Sequence, residues 1–230
     1  MGWLLVSTAL LAVVLGFITF SADQCMQLVI YGGYWAMLLI TALFGWTLWR
    51  IAAPLCVRWR ELRHARKWPA LLVLACGGVL LVHETFGFKI LMDEVMLLGT
   101  SMSLHFDKTA LVPTRGHDIQ GAFQFLSGQL DKRPLFQPFL VSLLHDLTGY
   151  RPENVFVLNT LLTFVLLGLT FHVARRLAGV AAGAVAVLAL TSLPLLSQNA
   201  TGGGFELLNL VMILVTLMLA LRYAERLDDD

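Results

Sequence analysis

Four short polar constellations interrupt an otherwise apolar chain, and each is of a kind that can do chemistry. The first is Asp93-Glu94, set between Ile90-Leu91-Met92 and Val95-Met96-Leu97-Leu98. Adjacent side chains on a helix point in different directions, so at most one of these acids faces a given site. A carboxylate poorly hydrated beside lipid can serve as general base or metal ligand; acids in a first helical turn also simply complement the dipole. The second is Asp131-Lys132-Arg133-Pro134. Its cations suit a lipid-linked phosphate, Arg133 gripping two oxygens and Lys132 supplying a point charge, and they would equally anchor ordinary anionic headgroups. The third, His117-Asp118 after Gly116, can orient an imidazole or hold a metal, but more often marks a helix start with the acid in its first turn. The fourth is Glu206, the one acid inside the long apolar runs, preceded by Thr201-Gly202-Gly203-Gly204. At that depth a carboxylate needs a partner, a metal or a water-filled cavity, unless it serves only the dipole of its own helix. The glycines permit close backbone approach to a ligand or to another segment.

These residues are carried by a chain of 230 residues that is 58% hydrophobic and 13% charged, a composition that excludes a water-soluble fold. A net charge of +1, with 16 Lys and Arg against 15 Asp and Glu, excludes a nucleic-acid binder working through bulk electrostatics. Hydropathy predicts an all-α, polytopic transmembrane bundle of about six spans, near 3–20, 28–49, 68–82, 155–173, 180–196 and 205–223. The third is expected to run about a turn beyond His83. The first has no Lys or Arg ahead of its apolar run, which favours a retained helix over a signal peptide. Cys25, Cys56 and Cys76 fall at different depths and read as packing residues. Gly179-xxx-Gly183 is a small-xxx-small pair suited to helix packing.

Orientation follows from the basic residues. Arg50, Arg58, Arg60, Arg63, Arg66 and Lys67, then Arg175 and Arg176, then Arg222 and Arg226 all fall on one side, which is therefore cytoplasmic and holds both termini. The chain so divides into two N-terminal helices with a basic connection, 1–67, and a core, 68–230, whose segment 83–154 is extracytoplasmic. That 72-residue segment holds 14 of the 31 charged residues and four of the six histidines, so function is sought there. Ile119, Ala122, Phe123, Leu126 and Leu130 recur at helical spacing and predict an interfacial helix. After Pro134 and Pro138, the stretch from Phe139 to Leu144, ended by Gly149, predicts a second. A loop lying on the membrane can wall a site for a substrate that itself sits in lipid.

Taken in order, Asp93-Glu94 after a membrane helix, Asp131-Lys132-Arg133-Pro134, the apolar stretch Phe139 to Gly149 and a span closing in Ala174-Arg175-Arg176-Leu177-Ala178-Gly179 resemble the first half of the GT-C polytopic glycosyltransferases. The similarity is to the members related to protein O-mannosyltransferases and the lipid A aminoarabinose transferase, and runs from about Trp68 to Tyr223. It implies an enzyme, a hexosyltransferase moving a sugar, with inversion, from a polyprenyl-phosphate donor to a lipid, glycan or protein acceptor. The reaction would take place on the outer face of a bacterial inner (plasma) membrane. It further implies Asp93, with Glu94 beside it, as catalytic base or at a metal, Lys132 and Arg133 at the donor phosphate, and Glu206 as metal ligand or second acid; a divalent cation, Mg or Mn, is the cofactor it allows. Asp131, His117 and Asp118 are secondary candidates. The contrasting reading is a non-catalytic membrane protein that keeps the lipid-phosphate groove: a truncated relative, an assembly subunit or a lipid carrier. The near absence of charge within the spans speaks against a channel or ion-coupled transporter.

Overall fold

A computed structural model of the protein describes residues 2–61 and 67–228. Arg63 and Arg66 of the basic connection lie outside these residues, as do the side chains of Cys56, Arg58, Arg60 and Arg226. The chain is mostly helical, in the order α1 (Gly2–Val14, continued by a π turn, Leu15–Thr19), α2 (Ala22–Glu61), α3 (Trp68–His83), α4 (Leu91–Phe106), β1 (Val112–Ile119), β2 (Ala122–Gln129), α5 (Phe136–Thr148), α6 (Asn154–Thr191), α7 (Pro194–Thr201) and α8 (Glu206–Asp228).

Where six spans are expected, three helical stretches among the described residues are long and apolar enough to cross a membrane: Ala22–Arg50, Asn154–Thr191 and Glu206–Tyr223. Val6–Thr19 and Trp68–His83 are apolar but shorter, and α3 ends at His83, where Glu84 turns extended, without the further turn expected. The stretch 180–196 is not one helix either. Leu193 is extended (φ −83°, ψ 116°) and Pro194 restarts the chain as α7, as a residue without an amide donor and with a fixed φ requires.

The long helix α6 is itself two limbs, broken at Ala178 (φ −140°) and at Gly179, whose φ of 87° suits glycine. The second limb folds back on the first, because a Cβ added at Gly183 would lie 2.9 Å from the Phe171 carbonyl oxygen. Of the expected small-xxx-small pair, Gly183 packs closely, whereas Gly179 sits at the break, where a Cβ would meet nothing within 4 Å, and serves the turn instead. Around this hairpin α3, α5, α7 and α8 bury Cys76, Leu80, Val141, Leu167, Leu196 and Leu207 in the main core. A second, smaller cluster of Tyr34, Leu104, Ala110 and Phe139 joins α2 to α4 and α5. Elsewhere α2 is little packed, with 6% of its apolar stretch buried.

The all-α expectation needs one correction. In place of an interfacial helix over Ile119 to Leu130 the chain makes an antiparallel hairpin, β1 against β2, with Ile119 opposite Ala122 and Val112 opposite Gln129. Gln120 (φ 56°) and Gly121 (φ 80°) both adopt left-handed backbone, the two-residue turn that matches strand twist. Asp118 does not cap a helix but accepts the Gly121 N–H at 2.9 Å across this turn. The second expected helix forms as α5, which ends where Gly149 turns to φ 83°.

Replacing Gly183 with Leu is expected to destabilise the hairpin of α6 by about 1–3 kcal/mol, since backbone rather than a movable side chain meets the new atoms. Gly168→Ala, which meets nothing within 4 Å, is expected to be neutral or slightly stabilising. Denaturant unfolding in detergent compares the two, and equal losses would refute the close packing.

Candidate functional site

The Asp93 carboxylate stands at the start of α4, in its first turn. Its Oδ1 accepts from Nη2 of Arg133, while Nη1 of the same guanidinium donates to both oxygens of Asp131, each at 2.8 Å. Arg133 is therefore a fork between two carboxylates. Its side chain is 16% exposed and that of Asp131 9%, whereas that of Asp93 is 50% exposed. Its hydrogen bonds to Asp131 and then to Asp93 raise the guanidinium above its already high pKa. Asp93 Oδ2 accepts no hydrogen bond among the described residues, so the carboxylate is held by one oxygen and open at the other. Asp131 Oδ1 also accepts the Lys132 N–H at 2.8 Å. The Lys132 ammonium is exposed and forms no ion pair among the described residues.

Glu94, the neighbour of Asp93, faces inward and is 4% exposed. Its Oε2 accepts the Lys89 N–H at 2.9 Å and the Gly203 N–H at 3.0 Å. The two acids thus take separate directions, one to the surface and one to the turn between α7 and α8. A Cβ at Gly202 would lie 3.2 Å from Glu94 Oε1, and one at Gly203 3.3 Å from Oε2. The close approach expected of these glycines is therefore to the Glu94 carboxylate. Asn159 donates to the carbonyls of Gly202 (2.8 Å) and Gly204 (3.0 Å), and Gln137 to that of Gly203 (3.3 Å). Glu206 opens α8, half-buried, with its carboxylate folded over Gly204.

The structure therefore joins Asp93, Asp131 and Arg133 directly, and brings Glu94 and Glu206 to one glycine turn. It does not bring in His117 and Asp118. Both are exposed near the hairpin tip, and five residues of strand carry His117 about 17 Å from Val112 at the hairpin base. Among the described residues no three His, Cys, Asp or Glu side chains converge as a metal-ligand group. A largely apolar cavity of about 500 Å³ among Leu166, Thr170, Leu190, Leu193, Leu210 and Leu214 lies between the α6 limbs and α8. It contains none of these acids, and suits hydrocarbon rather than polar chemistry.

Sequence reasoning missed a second polar assembly behind this site. Asp146 on α5 accepts from Tyr34 of α2 (3.0 Å) and from Lys108 (3.0 Å to each oxygen), and lies 2.6 Å from His105 Nδ1. Burial pushes its carboxyl up, but the hydrogen bonds from Lys108, His105 and Tyr34 outweigh this and hold it below the usual range. Next to it His145 is fully buried. Its Nδ1 accepts from Asn154 at 2.9 Å, which places the proton on Nε2, 3.3 Å from Ser101 Oγ, and Ser101 in turn donates to the Leu98 carbonyl at 2.7 Å. This Ser-His-Asn chain resembles a nucleophile relay in composition only, since all three residues are buried and no substrate reaches them. It ties α4, α5 and the start of α6 together. The available signal was the adjacent His145-Asp146 pair on an apolar-patterned helix.

The chain matches no family model, no curated protein and no solved structure.

Burial, reinforced by the charge of His105, lowers the pKa of His145 from 6.5 to about 4. The unfolded chain therefore takes up this proton more readily than the folded one, so stability is intact above pH 6.5 and declines as pH falls toward about 4. The Asp146 contribution is likewise lost on acidification. The slope from His145 approaches about 1.4 kcal/mol per pH unit. Unfolding midpoints measured across that interval are expected to fall steeply for the native chain and less steeply for His145→Gln; identical slopes would contradict the buried neutral imidazole.

Proposed function

We propose that the protein is a membrane-embedded glycosyltransferase of the GT-C type, working with Asp93 as general base. The observation that carries this reading is the Asp93 carboxylate, anchored through one oxygen by a partly buried guanidinium and open at the other, beside an exposed lysine on a scaffold with helices long and apolar enough to cross a membrane. Asp93 Oδ2 takes the proton of an acceptor hydroxyl as that oxygen attacks the anomeric carbon. The bond from that carbon to the donor phosphate oxygen breaks, and its electron pair leaves with the polyprenyl phosphate. Lys132 meets the departing charge. Single displacement by one base inverts the anomeric configuration.

The roles of the cations differ from one another in this reading. Arg133 is already shared by Asp131 and Asp93, so it positions the base, and Lys132 is the phosphate ligand. Gripping Asp131 by both its oxygens, the guanidinium also keeps Asp93 from swinging toward solvent. The apolar cavity between the limbs of α6 and α8 gives hydrocarbon of the donor a place to lie. In this reading the basic connections lie on the cytoplasmic side and the site faces outward.

Incubating the purified protein with polyprenyl-phosphate sugars and hydroxyl acceptors tests the reading. Asp93→Asn is expected to reduce transfer at least about 100-fold while retaining donor binding, because the amide accepts no proton at neutral pH. Lys132→Gln is expected to weaken donor binding about tenfold or more. Transfer unaffected by Asp93→Asn would defeat the base assignment. Lipid-phosphate binding without transfer in the native protein would support the carrier reading instead.

A further inference from the structure

At the end of the bundle away from the candidate site, two neighbouring helices bring arginines to one level. Asn159 of α6 donates to the carbonyl of Gly204, and Glu206 opens α8 two residues later. The same number of residues then separates Asn159 from Arg175 on α6 and Glu206 from Arg222 on α8, a rise of about 24 Å along each helix. His172 shares a face of α6 with Arg175 and Arg176, as residues three and four apart do, and lies within electrostatic reach of both and of Arg222. Neither Arg175 nor Arg222 forms an ion pair among the described residues. A guanidinium cannot shed its charge by deprotonation, so cations gathered from two helices repel one another until an anion joins them.

The surroundings select the anion. Both helices are long and apolar enough to cross a membrane, and Leu177 and Tyr223, beside the arginines in sequence, are exposed, as side chains at a membrane boundary are. The anion that fits this place carries hydrocarbon. We propose that Arg175 and Arg222, with His172 beside them, bind the headgroup phosphate of an anionic phospholipid. A guanidinium grips phosphate oxygens two at a time, and two of them on separate helices let one phosphate bridge the seam. A zwitterionic headgroup would bring its own cation into the cluster, so a headgroup of net negative charge is preferred. In the orientation read from the basic connections this is the cytoplasmic leaflet, where anionic lipids lie. The bound phosphate would fasten the first limb of α6 to α8 at the end opposite the Gly202–Gly204 turn.

The test is native mass spectrometry of the full chain in detergent micelles, titrated with phosphatidylglycerol, phosphatidylcholine or inorganic phosphate. The native protein is expected to retain phosphatidylglycerol about tenfold or more tightly than phosphatidylcholine, and excess inorganic phosphate is expected not to displace it. Arg175→Gln and Arg222→Gln are each expected to remove most of that preference while keeping their helical circular dichroism. The corresponding Lys variants keep the charge without the fork, and are expected to retain part of it. Arg50→Gln removes a cation that lies over the Trp46 ring of α2, 4.6 Å from its centroid, and is expected to change nothing. Equal retention of the two lipids, an undiminished preference in both Gln variants, or the same loss in Arg50→Gln would overturn the site. Displacement by inorganic phosphate would mark a free-anion site and overturn the lipid assignment. Lipid retention is the only readout, so this result stands or falls independently of the transferase reading.

Discussion

A carboxylate buried among apolar helices must find donors nearby, and Glu94 finds one of them 109 residues along the chain, at the Gly203 amide. The end of the structure that carries the candidate site is organised around this contact. It fixes the first turn of α4 against the turn between α7 and α8, and so determines which way Asp93 faces. Because consecutive residues on a helix diverge, seating Glu94 inward leaves Asp93 outward. The acid pair is thus a division of labour, with one member building the site and the other presented at its surface. Gln137 and Asn159 grip the same glycine turn from α5 and α6, so three helices, α4, α5 and α6, hold one short segment of backbone between α7 and α8.

Charge is arranged around this frame in layers. Innermost is Glu94, bound by neutral amides. Next is Arg133, whose guanidinium is divided between Asp131 and Asp93 and is partly buried. Outermost is Lys132, exposed. A guanidinium bonded between two carboxylates is a rigid unit, while an exposed lysine is a flexible point charge that can follow a ligand. That difference is why the two adjacent cations are assigned separate work. Behind them, Asp146 with Tyr34, Lys108 and His105 joins α2, otherwise little packed, to α4 and α5.

Much of this was legible in the sequence where a local rule had no competitor. The apolar runs of α2, α6 and α8, Gly149 closing α5 and the close packing of Gly183 all follow from composition and spacing. The hairpin did not, because Ile119, Ala122, Phe123 and Leu126 satisfy a helical period, while the Gln120-Gly121 turn that decides the matter is a weaker signal than Asn-Gly. Glu206 and the Gly202–Gly204 run stood out by depth and type. The partners of Glu94 did not stand out, since a contact spanning 109 residues has no local trace. Asn159 and Gln137 are single polar residues in apolar surroundings, and their purpose emerges only once the glycine turn lies beside them. Arg133 was read as a phosphate ligand from its type; its actual neighbours, Asp131 and Asp93, are set by how the hairpin returns the chain to α4.

Amide hydrogen exchange at Gly203 tests this organisation most directly. If the Glu94 carboxylate holds that amide, Gly203 exchanges slowly in the native protein and faster, by about tenfold or more, in Glu94→Ala, with protection in the first limb of α6 unchanged. A Gly203 amide that exchanges freely in the native protein, or equally slowly in both proteins, would contradict the account.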